Sequence, residues 1–275
     1  MLKYLRFVNM TVDGGALSIS ELKVGFTVRK TLSSENNDAE FDIWNLTSAH
    51  RMAFSEEYKE IEFEAGYTPP MGGSNVAMIF KGYIRDVEHR RDGTDIITNV
   101  KCGDGDKGTR KGVVCKTHPT GTKPRQIIED VINNMEGVEI GELKGIDALP
   151  PSRRPVVTMG TGLREIDKLS RTHRFHWMIN DGILETCPEN EFLNGMYIIS
   201  QQTGMLDVPT ITDKGVNVDV LLEPQILPGR QVDVRSETLD MNGAGGQFRV
   251  HNVTHSGDNR NGDFKTSIEA VRLGE

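Results

Sequence analysis

The feature that most constrains this chain is a two-residue alternation that recurs in segment after segment at both ends and breaks in the middle. In KEIEFEAGY (59–67), Ile61, Phe63 and Ala65 alternate with Glu60, Glu62 and Glu64. Successive strand side chains point to opposite faces, so one face goes to a core and the carboxylate face to water. VGFTVRKTL (24–32), EFDIWNL (40–46) and VAMIFKGYI (76–84) read as further strands. Residues 83–102 read as a hairpin, because Gly93 supplies a positive φ between the β-rich flanks YIRDVEHR and TDIITNVKC. Short strands separated by turns indicate a barrel or a sandwich.

The period changes after the Gly-, Lys- and Thr-rich stretch 103–122. In TGTKPRQIIEDVINNMEG (120–137), Ile127, Ile128, Val131, Ile132 and Met135 form one helical stripe. Thr122 is placed to cap it, Pro124 suits its first turn and Gly137 ends it. A second helix is expected in GTGLREIDKLSRTHRF (160–175), with Leu163, Ile166 and Leu169 on one face and Thr161 as cap. It runs into HWMINDGILE, where Asn180, Asp181 and Gly182 signal a type I′ hairpin. Residues 148–155, with three prolines, read as an extended connection.

After Gly204 strands return, in VPTITD, GVNVDVLLEP, RQVDVRSE, GQFRVHNVTHSG and DFKTSIEAVRL. The expected fold class is therefore mainly β with an α+β insert. A β-barrel domain over 1–110 and a second over 206–275 flank an α+β domain over 111–205, and the flanking strands could complete each other's sheets.

Charge and cysteine usage exclude several classes. With 32 Lys+Arg against 40 Asp+Glu, the net charge is −8, which argues against a protein that coats nucleic acid. Cys102, Cys115 and Cys187 are odd in number and widely spaced in a chain too long to need staples, so reduced thiols are expected. Asn9, Thr11 and Asp13 interrupt the start before a signal-peptide apolar region can develop. No apolar run approaches the roughly 20 residues of a spanning helix, so membrane insertion is not expected.

The motifs that could carry chemistry each fall short. Residues 158–165 precede a helix, as phosphate loops do, but lack both the third Gly of a dinucleotide fingerprint and the Gly-Lys-Ser/Thr of a P-loop. Asp104 and Asp106 are spaced like the first ligands of a calcium loop, yet the twelfth position is Cys115, and 103–108 reads as a solvated turn. The stretch 258–263 reads as a hairpin tip. His173, His176 and Cys187 could ligate zinc, but a fourth ligand is lacking and the two histidines fall on different elements. Glu60, Glu62 and Glu64 lie on a wet face, where nothing raises a carboxyl pKa for acid catalysis. The basic clusters 89–91, 110–111 and 153–154 lack interleaved aromatics and read as solvated loops. No catalytic, cofactor-binding or metal-binding residue is assigned, and the chain is read as no enzyme.

The order of the pieces carries more. FTVRKTLSSENNDAEFDIWNLT (26–47), EAGY (64–67), IFKGYI (79–84) with RDGTD (91–95), LPGRQVDVRS (227–236) and FRVHNVTHSGD (248–258) occur in succession. In this the chain resembles the central baseplate hub of Mu-like contractile-tailed phages, a family similar to the base of type VI secretion spikes. The resemblance implies two tube-protein-like barrels with an α+β part between them, and a homotrimeric ring adapting a six-fold tail tube to a three-fold spike. It implies as partners a tail tube or tube-initiator protein, a separate central spike protein and other baseplate proteins. It implies a place in the virion's tail baseplate after assembly in the host cytoplasm, with DNA passing through the lumen without specific binding, and it brings no catalytic residues or cofactors. The residues leave a β-rich carbohydrate- or receptor-binding tail module as the alternative, weakened by only two Trp and five Tyr. Part of the acidic excess is expected to face the bore.

Overall fold

The computed structural model describes residues 3–34, 36–54, 59–236 and 246–273, and of 109–111 the backbone alone. The first strands are β1 (Arg6–Val12), β2 (Leu17–Ile19), β3 (Val24–Thr31), β4 (Asp38–Trp44), β5 (Glu60–Tyr67), β6 (Ala77–Asp92) and β7 (Asp95–Gly103). A short helix, α1 (Ser48–Ala53), lies between β4 and β5. The alternation seen in sequence is the alternation of burial: Ile61, Phe63 and Ala65 are fully buried while their glutamate neighbours are half-exposed. β6 and β7 form the expected hairpin, turning at Gly93 with φ +59°. Their apolar faces enclose a core around Met10, Phe26, Phe41, Phe63 and Phe80.

The insert begins with α2 (Asp106–Lys111) and β8 (Val113–His118), followed by α3 (Pro124–Ile132), β9 (Glu139–Leu143), β10 (Val156–Thr161), α4 (Gly162–His173), β11 (Phe175–Asn180) and β12 (Ile183–Pro188). β8 and β10 make a two-stranded ribbon, and β11, β12 and β9 a three-stranded sheet. The predicted stripe of α3 is buried with Met135 and meets Ile166, Trp177 and Leu184 in a core of its own. Neither threonine caps its helix. Lys123 occupies the cap position of α3, while the Thr122 hydroxyl turns back to the Pro119 carbonyl at 2.7 Å. Thr161 holds the cap position of α4 without a side-chain bond.

Six strands follow: β13 (Leu193–Ile199), β14 (Thr210–Thr212), β15 (Gly215–Leu221), β16 (Arg230–Val234), β17 (Gln247–Asp258) and, after a hairpin tip, β18 (Phe264–Val271), the first of them running parallel to β16. These strands surround a third core, around Val218, Val232, Phe248 and Ile268. The two all-strand parts do complete each other's sheets. β17 pairs with β3 from Asn252↔Thr31 to Asp258↔Gly25, so one 13-stranded sheet runs β14-β15-β18-β17-β3-β4-β7-β6-β5-β1-β2, with β16 and β13 joined at β17. Phe264 of β18 lies edge-on to Phe26 and to Tyr67, at centroid separations of 5.6 and 5.3 Å, and so belongs to the first core.

Candidate functional site

Two features stand out once the residues are followed into space: a buried polar seam that fixes the insert on the sheet, and the solvent face of the sheet itself. The seam starts at the type I′ turn. Asp181 and Gly182 adopt φ of +55° and +79°, a geometry that Asp-Gly tolerates. The turn's two amides donate to one carboxylate of the first all-strand part: Asp181 N to Asp104 Oδ2 at 2.6 Å and Gly182 N to Asp104 Oδ1 at 2.8 Å. The buried Lys30 reaches Asp181 Oδ2 at 2.6 Å, and the Lys81 amide donates to Asp181 Oδ1. Asn37 donates to the Ile179 carbonyl and to Asn180 Oδ1.

Asp104 is therefore no member of a solvated turn. It is fully buried, and Asp106 beside it is held by Arg85, one guanidinium nitrogen lying 2.7 Å from Oδ1. A turn-rich acidic string is solvated only if nothing packs on it, and here the insert's hairpin does. Burial, reinforced by the Asp181 carboxylate, pushes the Asp104 carboxyl up to about 7. Close by in the sheet, His255 is wholly buried, bonded through Nδ1 to Thr266 Oγ1 at 2.9 Å, and burial pushes its imidazole down to about 3.

The seam continues toward the third core. Arg230 grips Glu185 of β12 with two bonds of 2.8 and 2.9 Å. Arg249 of β17 donates to the carbonyls of Pro188, Glu189 and Glu191, and lies 3.4 Å from His176 Nε2. His176 and Cys187 are direct cross-strand partners, but the neighbour they share is this guanidinium, while His173 ends α4. Burial lowers the His176 pKa and raises that of Cys187. No group of three metal-ligating side chains occurs among the described residues. All three cysteines are free thiols, Cys115 alone exposed.

The remaining motifs lie at turns or on exposed faces, but 89–91 belong to β6 and 110–111 to α2 rather than to loops, because strand pairing and the helix extend further than the turn residues suggest. Glu60 and Glu62 are on the wet face, neutralised by Lys81 at 3.3 and 2.8 Å. Residues 258–263 form the β17–β18 tip, and Arg6 ties it down through the carbonyls of Asp258, Asn261 and Gly262. Residues 158–165 are a strand-to-helix turn. His89, Arg90 and Arg91 are exposed on the β6–β7 hairpin, and Arg153 and Arg154 are exposed on the loop before β10; the side chains of Arg110 and Lys111 lie outside the described part.

The sheet's solvent face is the second feature. Register places Asp86, Lys101, Glu40, Thr27, Ser256 and Lys265 in one row across β6, β7, β4, β3, β17 and β18. Glu88, Asn99, Asp42, Gly25 and Asp258 form the next, and Asp38, Arg29, Thr254, Ser267 and Asp219 another. Carboxylates outnumber cations, and the other members are small or uncharged. These rows present charge but no shielded acid and no nucleophile with a base, and the half-exposed Trp44 that follows Asp42 on the same face is covered by Lys23 Nζ, 4.1 Å from its ring centre.

The family model for baseplate hub gp41 matches residues 5–270. The chain belongs to the baseplate hub gp41 family. Its fold is shared with the 43 kDa tail protein of prophage MuSo2 from Shewanella oneidensis, at 10% identity and TM-score 0.70 over 97% of each chain. A tail protein from Neisseria meningitidis MC58 matches at 9% identity and TM-score 0.67, over 98% of this chain and 97% of that one. The E. coli c3393 protein, a type VI secretion component, matches at 12% identity and TM-score 0.67, over 97% of this chain and 77% of that one. No curated protein sequence matches the hub chain. The family is a structural one of phage tails, in line with the resemblance read from the ordered segments. Among the described residues no helix is long and apolar enough to cross a membrane.

Proposed function

We propose that three copies of this hub close into a ring at the base of a contractile tail, with the acidic sheet face toward the bore. Residues 1–110 and 206–275 act as two roughly equivalent wall units per copy, while 111–205 stands off the wall. Six wall units would then match a six-fold tail tube or tube-initiator protein on one side and a three-fold central spike protein on the other. Other baseplate proteins complete the contacts, in a virion tail assembled in the host cytoplasm. The hub works by shape and catalyses nothing.

The observation that supports this reading is the continuity of the sheet across both all-strand parts. A wall must be seamless within a subunit, and the β17–β3 pairing makes it so. DNA passing such a wall meets like charge: three chains of −8 carry −24, and fixed carboxylates repel phosphate over roughly a Debye length of 8–10 Å. Sedimentation of the purified chain, alone and with its neighbouring tail proteins, tests the assembly. The expected species is near 92 kDa, three times the 30.6 kDa chain. A monomer under every condition would contradict it.

A further inference from the structure

The insert carries a cleft of about 540 Å³ on which the seam makes no demand. It lies between the proline-rich run 150–155, β10 and α4, with Pro124 and Ile127 of α3 in its lining. Val156, Val157 and Thr158 line it in succession, and because neighbouring strand residues point to opposite faces, the cleft must meet the edge of β10. That edge is open, since β10 pairs with β8 alone among the described residues. Arg153 and Arg154 are exposed in the lining and have no ion-pair partner among the described residues.

The same chain displays the complement elsewhere. Residues 206–213, at the outermost edge of the long sheet, expose Leu206 at 45% and Val208 at 57%. Asp207 and Asp213 are exposed and likewise without an ion-pair partner among the described residues, and β14 within the segment pairs only with β15. Leu206, Asp207 and Val208 are all exposed around a bend at Asp207, just before β14. The chain thus carries both an open, apolar, acidic edge and an open, apolar, basic one, and edges of this kind are normally covered.

We propose that the 206–213 edge of one copy docks into the insert cleft of a second copy, adding a strand to β10. Leu206 and Val208 would enter the cleft, and Asp207 and Asp213 would meet Arg153 and Arg154. The two surfaces differ, so the contact is head-to-tail and generates a ring where the rotation closes. This deepens the ring reading and rests on it.

The test uses short bis-maleimide cross-linking in a Cys115→Ser background, with Val157→Cys and Val208→Cys in one chain. A denaturing gel is expected to show a ladder of dimer and trimer for the double variant and only monomer for either single variant. Arg153→Glu with Arg154→Glu is expected to cut the cross-linked fraction at least tenfold, and adding Asp207→Arg with Asp213→Arg to restore most of it. The pair Val157→Cys and Met71→Cys controls for chance collision. No ladder from a chain whose wild type sediments as a trimer would overturn the docking surface and leave the ring standing. No ladder from a wild type that is monomeric throughout would overturn both, and a ladder as strong from the Met71 control or from a single variant would overturn the specific contact.

Discussion

Asp104 accepts the amides of both Asp181 and Gly182, so a single buried carboxylate of the first all-strand part holds the tip of the insert's hairpin. The turn conformation makes this possible, because two successive residues at positive φ aim their N–H groups the same way. Asp104→Ala would leave two buried donors without an acceptor, at about 1–3 kcal/mol each. Chemical denaturation should show a loss of roughly 2–5 kcal/mol, and amide exchange at Asp181 and Gly182 should accelerate.

The same carboxylate and His255 give stability opposite pH dependences. Asp104 has a folded pKa near 7, above its unfolded 3.8, so its contribution is fully present below about pH 4 and is lost as pH rises through 7. His255 has a folded pKa near 3, below its unfolded 6.5, so its contribution is present above about 6.5 and is lost as pH falls toward 3. At about 1.4 kcal/mol per pKa unit, each limb amounts to several kcal/mol at full extent. Relative to wild type, Asp104→Asn should gain stability as pH rises from 4 to 7, and His255→Gln should gain as pH falls from 6.5 to 3. Denaturation midpoints across that range, compared pairwise, check both signs.

Arg230 and Glu185 form a two-bond ion pair at the other end of the seam, with Asn180 donating to the same carboxylate. Breaking a buried pair costs about 3–5 kcal/mol, and this one keeps some access to solvent, so Arg230→Met should cost about 2–3. Restoring volume at both positions, with Glu185→Leu added, should recover much of the loss, as thermal unfolding of the single and double variants would show.

Phe264 ties the closing hairpin into the first core through Phe26 and Tyr67. Phe264→Ala should cost about 3–5 kcal/mol. Because Arg6 also packs over this ring, proteolysis in the variant should start near β1 and the 258–263 tip.

Much of this architecture was legible in the residues. Strict alternation located β5, the 3.6-residue stripe located α3 and α4, and Asp181-Gly182 located the turn between β11 and β12. What local pattern could not reveal was long-range pairing. Lys30 sits at an inward position of β3 and looks like an ordinary surface lysine in the string, yet its partner is 151 residues away. Asp104 and Asp106 are buried for the same reason: composition describes a turn's own preference, whereas burial depends on what arrives from elsewhere. The helix caps failed more locally, since Thr122 found the Pro119 carbonyl instead of the first-turn amides.

A density map of the assembled baseplate gives the most direct test of how the hub works. The account predicts three copies about an axis, with Glu40, Asp42, Glu88 and Asp219 directed at the channel. A map in which that face turns outward, or in which cations line the channel, would contradict it.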